Sequence, residues 1–457
     1  IFLNGSLGSG KSVASMQFID LCRIRNYFTI IIDPKRDQLA NLALHGRGHT
    51  KLWNLNTEGK PGMLDPFTLI SREVNPYDPD RATQQQADEL WEAETISLVD
   101  MVINETLENP LTTELSANLS NLVALELKRK NPSMHHLMEL MEAGELGKPA
   151  EKLHTTEGSP EHLAMKRDMT NLHSLLSKAA GTSIGRLVFG KKTEQVKMRY
   201  GGVNTIIINT NGLTLPAEGQ KPSGQLERNS SMVYGLLATY VGQMLINDKS
   251  IPGKFKLLVV DEFNVARDNV AFQSQIKRIV SMGRSLGITT LLLDQSTASA
   301  ADEKLFGNKI GGRWVGRSDI SSRRAVATAL GYADDPEEFD VLVKTMPDID
   351  RDTAGRALLS LPTDKDTNNS NNIKVLQFDI SWNPEYRAFE SNVSGQEEDN
   401  RAAIQRYETD ANGIHYDPLL RDVEVKLLES EETIPEYEPE HEPVLAGVSS
   451  GSSTDWV

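Results

Sequence analysis

The octapeptide Gly5-Ser6-Leu7-Gly8-Ser9-Gly10-Lys11-Ser12 constrains this chain more than any other feature. It satisfies every fixed position of the pattern G-x-x-x-x-G-K-[ST]. The apolar Ile1-Phe2-Leu3 before it reads as the end of a buried strand, and residues 13–24 after it read as a helix. Strand, glycine-rich loop and helix in that order make a cradle for phosphate. The glycines let the backbone turn through φ > 0 and aim N–H groups at the α- and β-phosphates. Lys11 brings a positive charge to the β/γ oxygens, and Ser12 offers its hydroxyl to Mg²⁺. The start of the helix at Val13 adds a field that favours anions. The expected nucleotide-binding set is therefore Gly5, Ser6, Leu7, Gly8, Ser9, Gly10, Lys11, Ser12 and Val13, with Ser12 also a metal ligand. Four residues precede the loop and the first is not Met, whereas an average strand runs about five or six residues. The chain is expected to be the C-terminal portion of a longer protein.

The rest of the sequence alternates between two textures. Residues 27–32, 51–55, 203–209, 255–260, 288–294 and 312–315 are short β-branched or aliphatic runs, and several have an Asp or Asn at or just past their end. Helical stretches at 230–247 and 269–286 separate the later ones, and another is expected at 321–330. Strands alternating with helices predict a parallel sheet covered on both faces. Between about residues 82 and 180 strand signals vanish. Leu90, Ile96, Leu98, Val99, Val102, Ile103 and Leu107 recur near a 3.6 period, and Ser133 after Asn131-Pro132 reads as an N-cap. This block reads as an all-α insertion, and within it the pair His135-His136 reads as surface. Residues 357–361 and 374–380 are expected to close the sheet as a pair of strands. The organisation predicted is a first core segment at 1–81, the all-α insertion at 82–180, a second core segment at 181–390 and a helical extension at 391–423. A disordered acidic tail rich in Glu, Pro, Ser and Gly follows at 424–457.

Composition narrows the class further. Lys and Arg number 48 against 64 Asp and Glu, a net charge of −16, which argues against a surface coated for nucleic acid but leaves room for a basic central channel. No run approaches the roughly 18 apolar residues of a membrane span. The single cysteine, Cys22, excludes an internal disulfide framework. Its place in the helix after the loop suggests packing.

Chemistry concentrates at two strand ends. Leu257-Leu258-Val259-Val260-Asp261-Glu262 presents two carboxylates at the carboxyl edge of a buried strand, expected beside the phosphate loop. Asp261 suits the water shell of a Mg²⁺ ion and Glu262 suits a general base for water. The next strand delivers Asp294-Gln295-Ser296. Gln295 can contact a γ-phosphate or its water and report hydrolysis, the alternative being a polar residue that closes a loop. Phosphoryl transfer also needs positive charge on its transition state. Arg284, Arg313, Arg317, Arg323 and Arg324 are the candidates, each with the alternative of a solvated surface arginine. Cys/His metal spacing is absent.

Taken in order, these motifs resemble the HerA/FtsK branch of RecA-like motors, and most closely the traffic ATPases of conjugative type IV secretion systems. The resemblance rests on the loop Gly5 to Ser12, Asp33-Pro34-Lys35, Asp65-Pro66-Phe67, Asp261-Glu262, Gly283-Arg284 with Gly287, and Asp294-Gln295-Ser296, over roughly residues 1–380. Two positions depart from it: Asp294 replaces a small residue, and Phe263 follows the acidic pair where Ala is frequent. The resemblance implies an α/β fold, a RecA-like P-loop NTPase core with a parallel central sheet. It also implies a Mg²⁺-dependent ATPase with ATP and Mg²⁺ as cofactors. Glu262, Lys11 and Gln295 would act within the subunit, and Arg323 matches an arginine that reaches a neighbour's ATP, with Arg284 a second match. A homo-oligomer, expected to be a hexamer, would sit in the cytoplasm at the inner face of the membrane, with membrane-embedded channel proteins and DNA as partners. A duplex-DNA translocase is the first alternative, and a nucleotide-dependent assembly scaffold with little turnover is the second.

Overall fold

Continuous β-branched and aliphatic runs, buried on both faces of the sheet, build the centre of the molecule. A computed structural model describes residues 1–4, 11–34, 50–55, 59–70, 84–146, 158–191, 204–216, 220–247, 255–263, 269–294, 312–315, 356–360, 373–377, 408–409 and 414–416. The strands are β1 (Phe2–Asn4), β2 (Phe28–Asp33), β3 (Thr50–Asn54), β4 (Thr205–Asn209), β5 (Lys256–Val260), β6 (Ile288–Asp294), β7 (Arg313–Val315), β8 (Arg356–Ser360), β9 (Ile373–Gln377), β10 (Glu408–Thr409) and β11 (Ile414–Tyr416). They form one sheet in the order β10-β11-β3-β4-β2-β5-β6-β1-β7-β8-β9. The seven strands from β3 to β7 in that order are mutually parallel. The expected closing pair is present as β8 and β9, antiparallel to each other, with β8 antiparallel to β7. At the other end β10 and β11 pair antiparallel and join β3. Residues 408–409 and 414–416 are thus short strands where a helical extension was expected, because the exposed edge of β3 offers them a ladder to pair with.

Alternation along each parallel strand splits the core in two. Ile30 and Ile32 of β2, Ile206 and Ile208 of β4, and Leu258 and Val260 of β5 face one layer. Ile31, Ile207, Leu257 and Val259 face the other, together with Ala14, Ile19 and Cys22 of helix α1 (Lys11–Ile24). The first layer holds the long helices α8 (Gln225–Asn247) and α9 (Val270–Leu286). Asn269 caps α9 by accepting from Phe272 N at 2.8 Å, and Gly287 ends it at φ 64. That left-handed C-cap favours glycine.

Helical periodicity places the 84–180 block on this same layer. Its members are α3 (Gln84–Thr106), α4 (Thr113–Glu126), α5 (Met134–Glu142) and α6 (Pro160–Ala180). They are flanked by the short α2 (Pro66–Leu69) and α7 (Arg186–Phe189). Val102, Leu122, Leu137, Met141 and Leu176 belong to one continuous buried cluster with Ile30 and Leu258 of the sheet. Ser133 does cap α5, accepting from His136 N at 3.2 Å. Asp65 joins the block to the sheet loop: one carboxylate oxygen accepts from Phe67 N at 3.1 Å and the other from Met134 N at 3.2 Å.

His136 is not a simple surface residue. Its Nδ1 lies 2.6 Å from the carboxylate of Glu126, which is fully buried and also accepts from Ser133 N at 3.0 Å. Arg129 approaches the other ring nitrogen. The side chain that changes its character sits ten positions earlier, beyond the reach of helical spacing. No helix among the described residues is long and apolar enough to cross a membrane.

Candidate functional site

Strand register aligns a row of short polar residues at one edge of the sheet. Asn54 pairs with Asn209, Asn209 with Asp33, and Asn4 with Asp294. Ile32 and Val260 are partners, and Asp261 N donates to Ile32 O at 3.0 Å, so Asp261 follows at the same level as Asp33. The row lies at the carboxyl ends of the parallel strands, where open α/β sheets bind ligands. From β1 the chain proceeds through α1 to β2 on one side, while from β6 it passes to β7 on the other. The connections change direction at β1, and residues 5–10 follow that strand in the sequence.

The sheet order refines one expectation. The Asp261-Glu262 strand does not lie directly beside the strand that precedes the phosphate loop, because β6 is inserted between them. Asp294, fully buried at the end of β6, is therefore the immediate neighbour of Asn4. Gln295 comes next in the chain. Insertion of one strand leaves about 10 Å between the ends of β1 and β5 at the usual interstrand spacing.

Lys11, Ser12 and Val13 form the first turn of α1, and Lys11 is partly buried. Gly5 to Gly10, Gln295, Arg317, Arg323 and Arg324 lie outside the described residues. Arg284 belongs to the last turn of α9. Fourteen residues from the helix start place it about 21 Å along the axis, toward the edge where Gly287 O accepts from Lys256 N at 2.9 Å and β5 begins. The fold thus does not bring Arg284 to the carboxyl edge of its own sheet. Arg313 lies in β7.

Asp261 and Glu262 leave the strand through an unusual turn. Glu262 has φ 47, a left-handed backbone, and is buried at 9 % exposure. That conformation costs a residue with a β-carbon about 1–2 kcal/mol. Asp261 Oδ1 accepts from Glu262 N at 3.0 Å and supports the turn. Consecutive strand residues point to opposite faces, and the left-handed step at Glu262 breaks that alternation at the acid pair.

Behind this edge stand residues that sequence reasoning missed. Thr210 N donates to Asp33 O at 3.0 Å, and the Thr210 hydroxyl lies 2.9 Å from the hydroxyl of Tyr234 on α8. Burial pushes the Tyr234 phenol up to about 12, the Thr210 hydrogen bond opposing and the Asp33 charge adding to the shift. Tyr234 stays protonated as a structural donor or acceptor. No local signal marks Thr210 or Tyr234, since their partner is 24 positions away. Asp65 did carry a signal, because Asp-Pro at a helix start is an N-cap followed by Pro at the first helical position.

The donor set fits a hard cation. A serine hydroxyl and a carboxylate are oxygen ligands, and Mg²⁺ ordinarily takes one or two carboxylates with substrate phosphates and waters. It therefore needs no cage of three acids, and no such cluster occurs among the described residues.

A family model described as an AAA-like domain matches residues 1–348. Comparison with curated protein sequences gave no match. Among solved structures, VirB4 of Thermoanaerobacter pseudethanolicus superposes with a TM-score of 0.54 at 14% identity, covering 82% of this chain and 88% of that one. The plasmid coupling protein TrwB in complex with ADP and Mg²⁺ gives a TM-score of 0.47 at 15% identity, over 83% and 85% of the two chains. The VirB4 match shows a shared fold, in agreement with the resemblance drawn from the motifs.

Proposed function

Because this chain belongs to the family of AAA-like domains, a P-loop NTPase family, we propose that it is the ATP-hydrolysing motor of a conjugative type IV secretion apparatus. The observation that carries the reading is the sheet order β5-β6-β1 with Asp261 and Glu262 at the carboxyl end of β5. It sets an acid pair one strand away from Lys11, across the end of a strand that leads into Gln295.

In this reading the glycine loop and Lys11 bind the triphosphate, and Ser12 and Asp261 hold Mg²⁺. The metal, when bound, neutralises charge developing on the β- and γ-oxygens. Glu262 accepts a proton from the attacking water, and Gln295 orients that water and registers the loss of the γ-phosphate. Arg323 supplies positive charge to the site of an adjacent subunit in a ring, which we take to be a hexamer, and Arg284 is a second candidate for that trans role. The motor docks on membrane-embedded channel proteins at the inner face of the cell membrane. The all-α insertion at 82–180 forms one layer of the core segments 1–81 and 181–390.

Steady-state phosphate release with Mg-ATP tests this. Wild-type protein should turn over many times, and Glu262→Gln should lose about 10²–10⁴-fold in rate while still binding ATP. A loss below tenfold would assign the base to another residue. Absence of multiple turnover would leave an assembly scaffold, and strong stimulation by duplex DNA would leave a DNA translocase.

A further inference from the structure

We propose that Phe263 is a positioning residue that holds Glu262 in its left-handed backbone state and so sets where the carboxylate stands. The proposal rests on the reading of Glu262 as the general base. A left-handed residue with a β-carbon persists only where its surroundings over-determine it. Two neighbours do so here. On the amino side, Asp261 N is tied to Ile32 O at 3.0 Å and Asp261 Oδ1 to Glu262 N at 3.0 Å. On the carboxyl side, Phe263 is completely buried. Its ring centroid lies 6.4 Å from that of Phe272 on α9, which meets Tyr234 of α8 edge-on at 5.9 Å and 74°. Tyr234 reaches Thr210 at 2.9 Å, and Thr210 N returns to Asp33 O at 3.0 Å, next to Ile32.

These contacts close a ring: Asp261, Glu262, Phe263, Phe272, Tyr234, Thr210 and the end of β2. Glu262 is the left-handed member of that ring, and every other link is a hydrogen bond, an aromatic contact or the chain itself. Phe272 is itself fixed, because Asn269 accepts from its N–H at 2.8 Å and donates to Ser231 O of α8 at 2.8 Å. The ring of Phe263 thus packs against a helix whose start is hydrogen-bonded to α8. Removing it frees the turn to relax toward an extended φ, and the carboxylate at 262 moves with it.

A double-mutant cycle reads this directly. Phe263→Ala and Phe263→Leu are made in the wild-type chain and in Glu262→Gln, with kcat and KM measured for Mg-ATP and Kd measured with a fluorescent ATP analogue. In the wild-type background Phe263→Ala should lower kcat at least tenfold with Kd changed less than twofold, and Leu, which refills part of the volume, should fall in between. In the Glu262→Gln background the same changes should alter residual turnover less than twofold, because the oxygen being positioned is gone. Equal losses in both backgrounds, or a matching loss of nucleotide affinity, would overturn the proposal in favour of plain core packing. Should the Ala variant fail to fold, the Leu variant carries the same cycle with the same deciding comparison. Full activity in Glu262→Gln would overturn the base assignment and the positioning role with it. An inactive Glu262→Gln beside an unchanged kcat in Phe263→Ala would overturn the positioning role alone.

Discussion

Replacing Asp65 by Ala probes how the helical block is fastened to the sheet. The carboxylate is fully buried and accepts from Phe67 N at 3.1 Å, in its own loop, and from Met134 N at 3.2 Å, 69 positions later. The first bond is an N-cap, for which loss to Ala costs about 0.5–2 kcal/mol. The second is a hydrogen bond to a charged acceptor, which contributes about 1.5–3 kcal/mol. Neither amide has an intrahelical partner, since both stand in the first turn of a helix. The loss at Met134 is local to the start of α5, so the expected readout is amide hydrogen exchange followed by mass spectrometry. At 1.4 kcal/mol per factor of ten, peptides spanning 133–137 should exchange about 10–100-fold faster in Asp65→Ala, while peptides from the middle of α8 keep their rate. Asp65→Asn retains one oxygen and should lose protection at only one of the two helix starts. Unchanged exchange at 133–137 in the Ala variant would refute the fastening role.

Three further outcomes are expected. Lys11→Ala should abolish phosphate release and strongly weaken ATP binding by equilibrium titration, because no other side chain of the loop carries a positive charge; wild-type turnover would remove the nucleotide reading. Arg323→Ala should lower turnover of the assembled protein without changing monomer ATP affinity. Mixed rings of Arg323→Ala and Glu262→Gln subunits should regain activity that neither parent shows, given that such arginines contribute roughly 10³–10⁵ in rate; no recovery with mixing verified would exclude action across the boundary. Burial pushes the Cys22 thiol up from 9.0 to about 11, the charge of Arg25 opposing. The folded state therefore keeps this proton longer than the unfolded one, and the associated stability is intact below pH 9.0 and lost as pH rises toward about 11. Labelling by a disulfide reagent at pH 8 should be slow in the native protein and complete in denaturant, and prompt native labelling would contradict it.

The sequence by itself determined the parts whose signals are local. The octapeptide ending at Ser12 carries within its own residues the whole pattern on which the proposed nucleotide site rests. The strands at β2, β4, β5 and β6 announce themselves by short β-branched runs, α3 by the period of Leu90 to Leu107, and the start of α5 by the cap Ser133. Tertiary structure decided what depends on distant pairing. Which strand lies next to β1 is a property of the sheet order, and hydrophobic runs of equal quality cannot encode it, so the place of β6 between β1 and β5 emerged only from the register. The edge strands β10 and β11 formed because β3 supplied unpaired backbone groups, a stimulus absent from their own residues. His136 acquired a buried carboxylate from another helix, and Asp65 acquired a second amide from α5. The left-handed turn at Glu262 is decided the same way. Glutamate has no intrinsic preference for φ 47, and the conformation exists because Phe263 is seated against Phe272 on a helix that folds elsewhere.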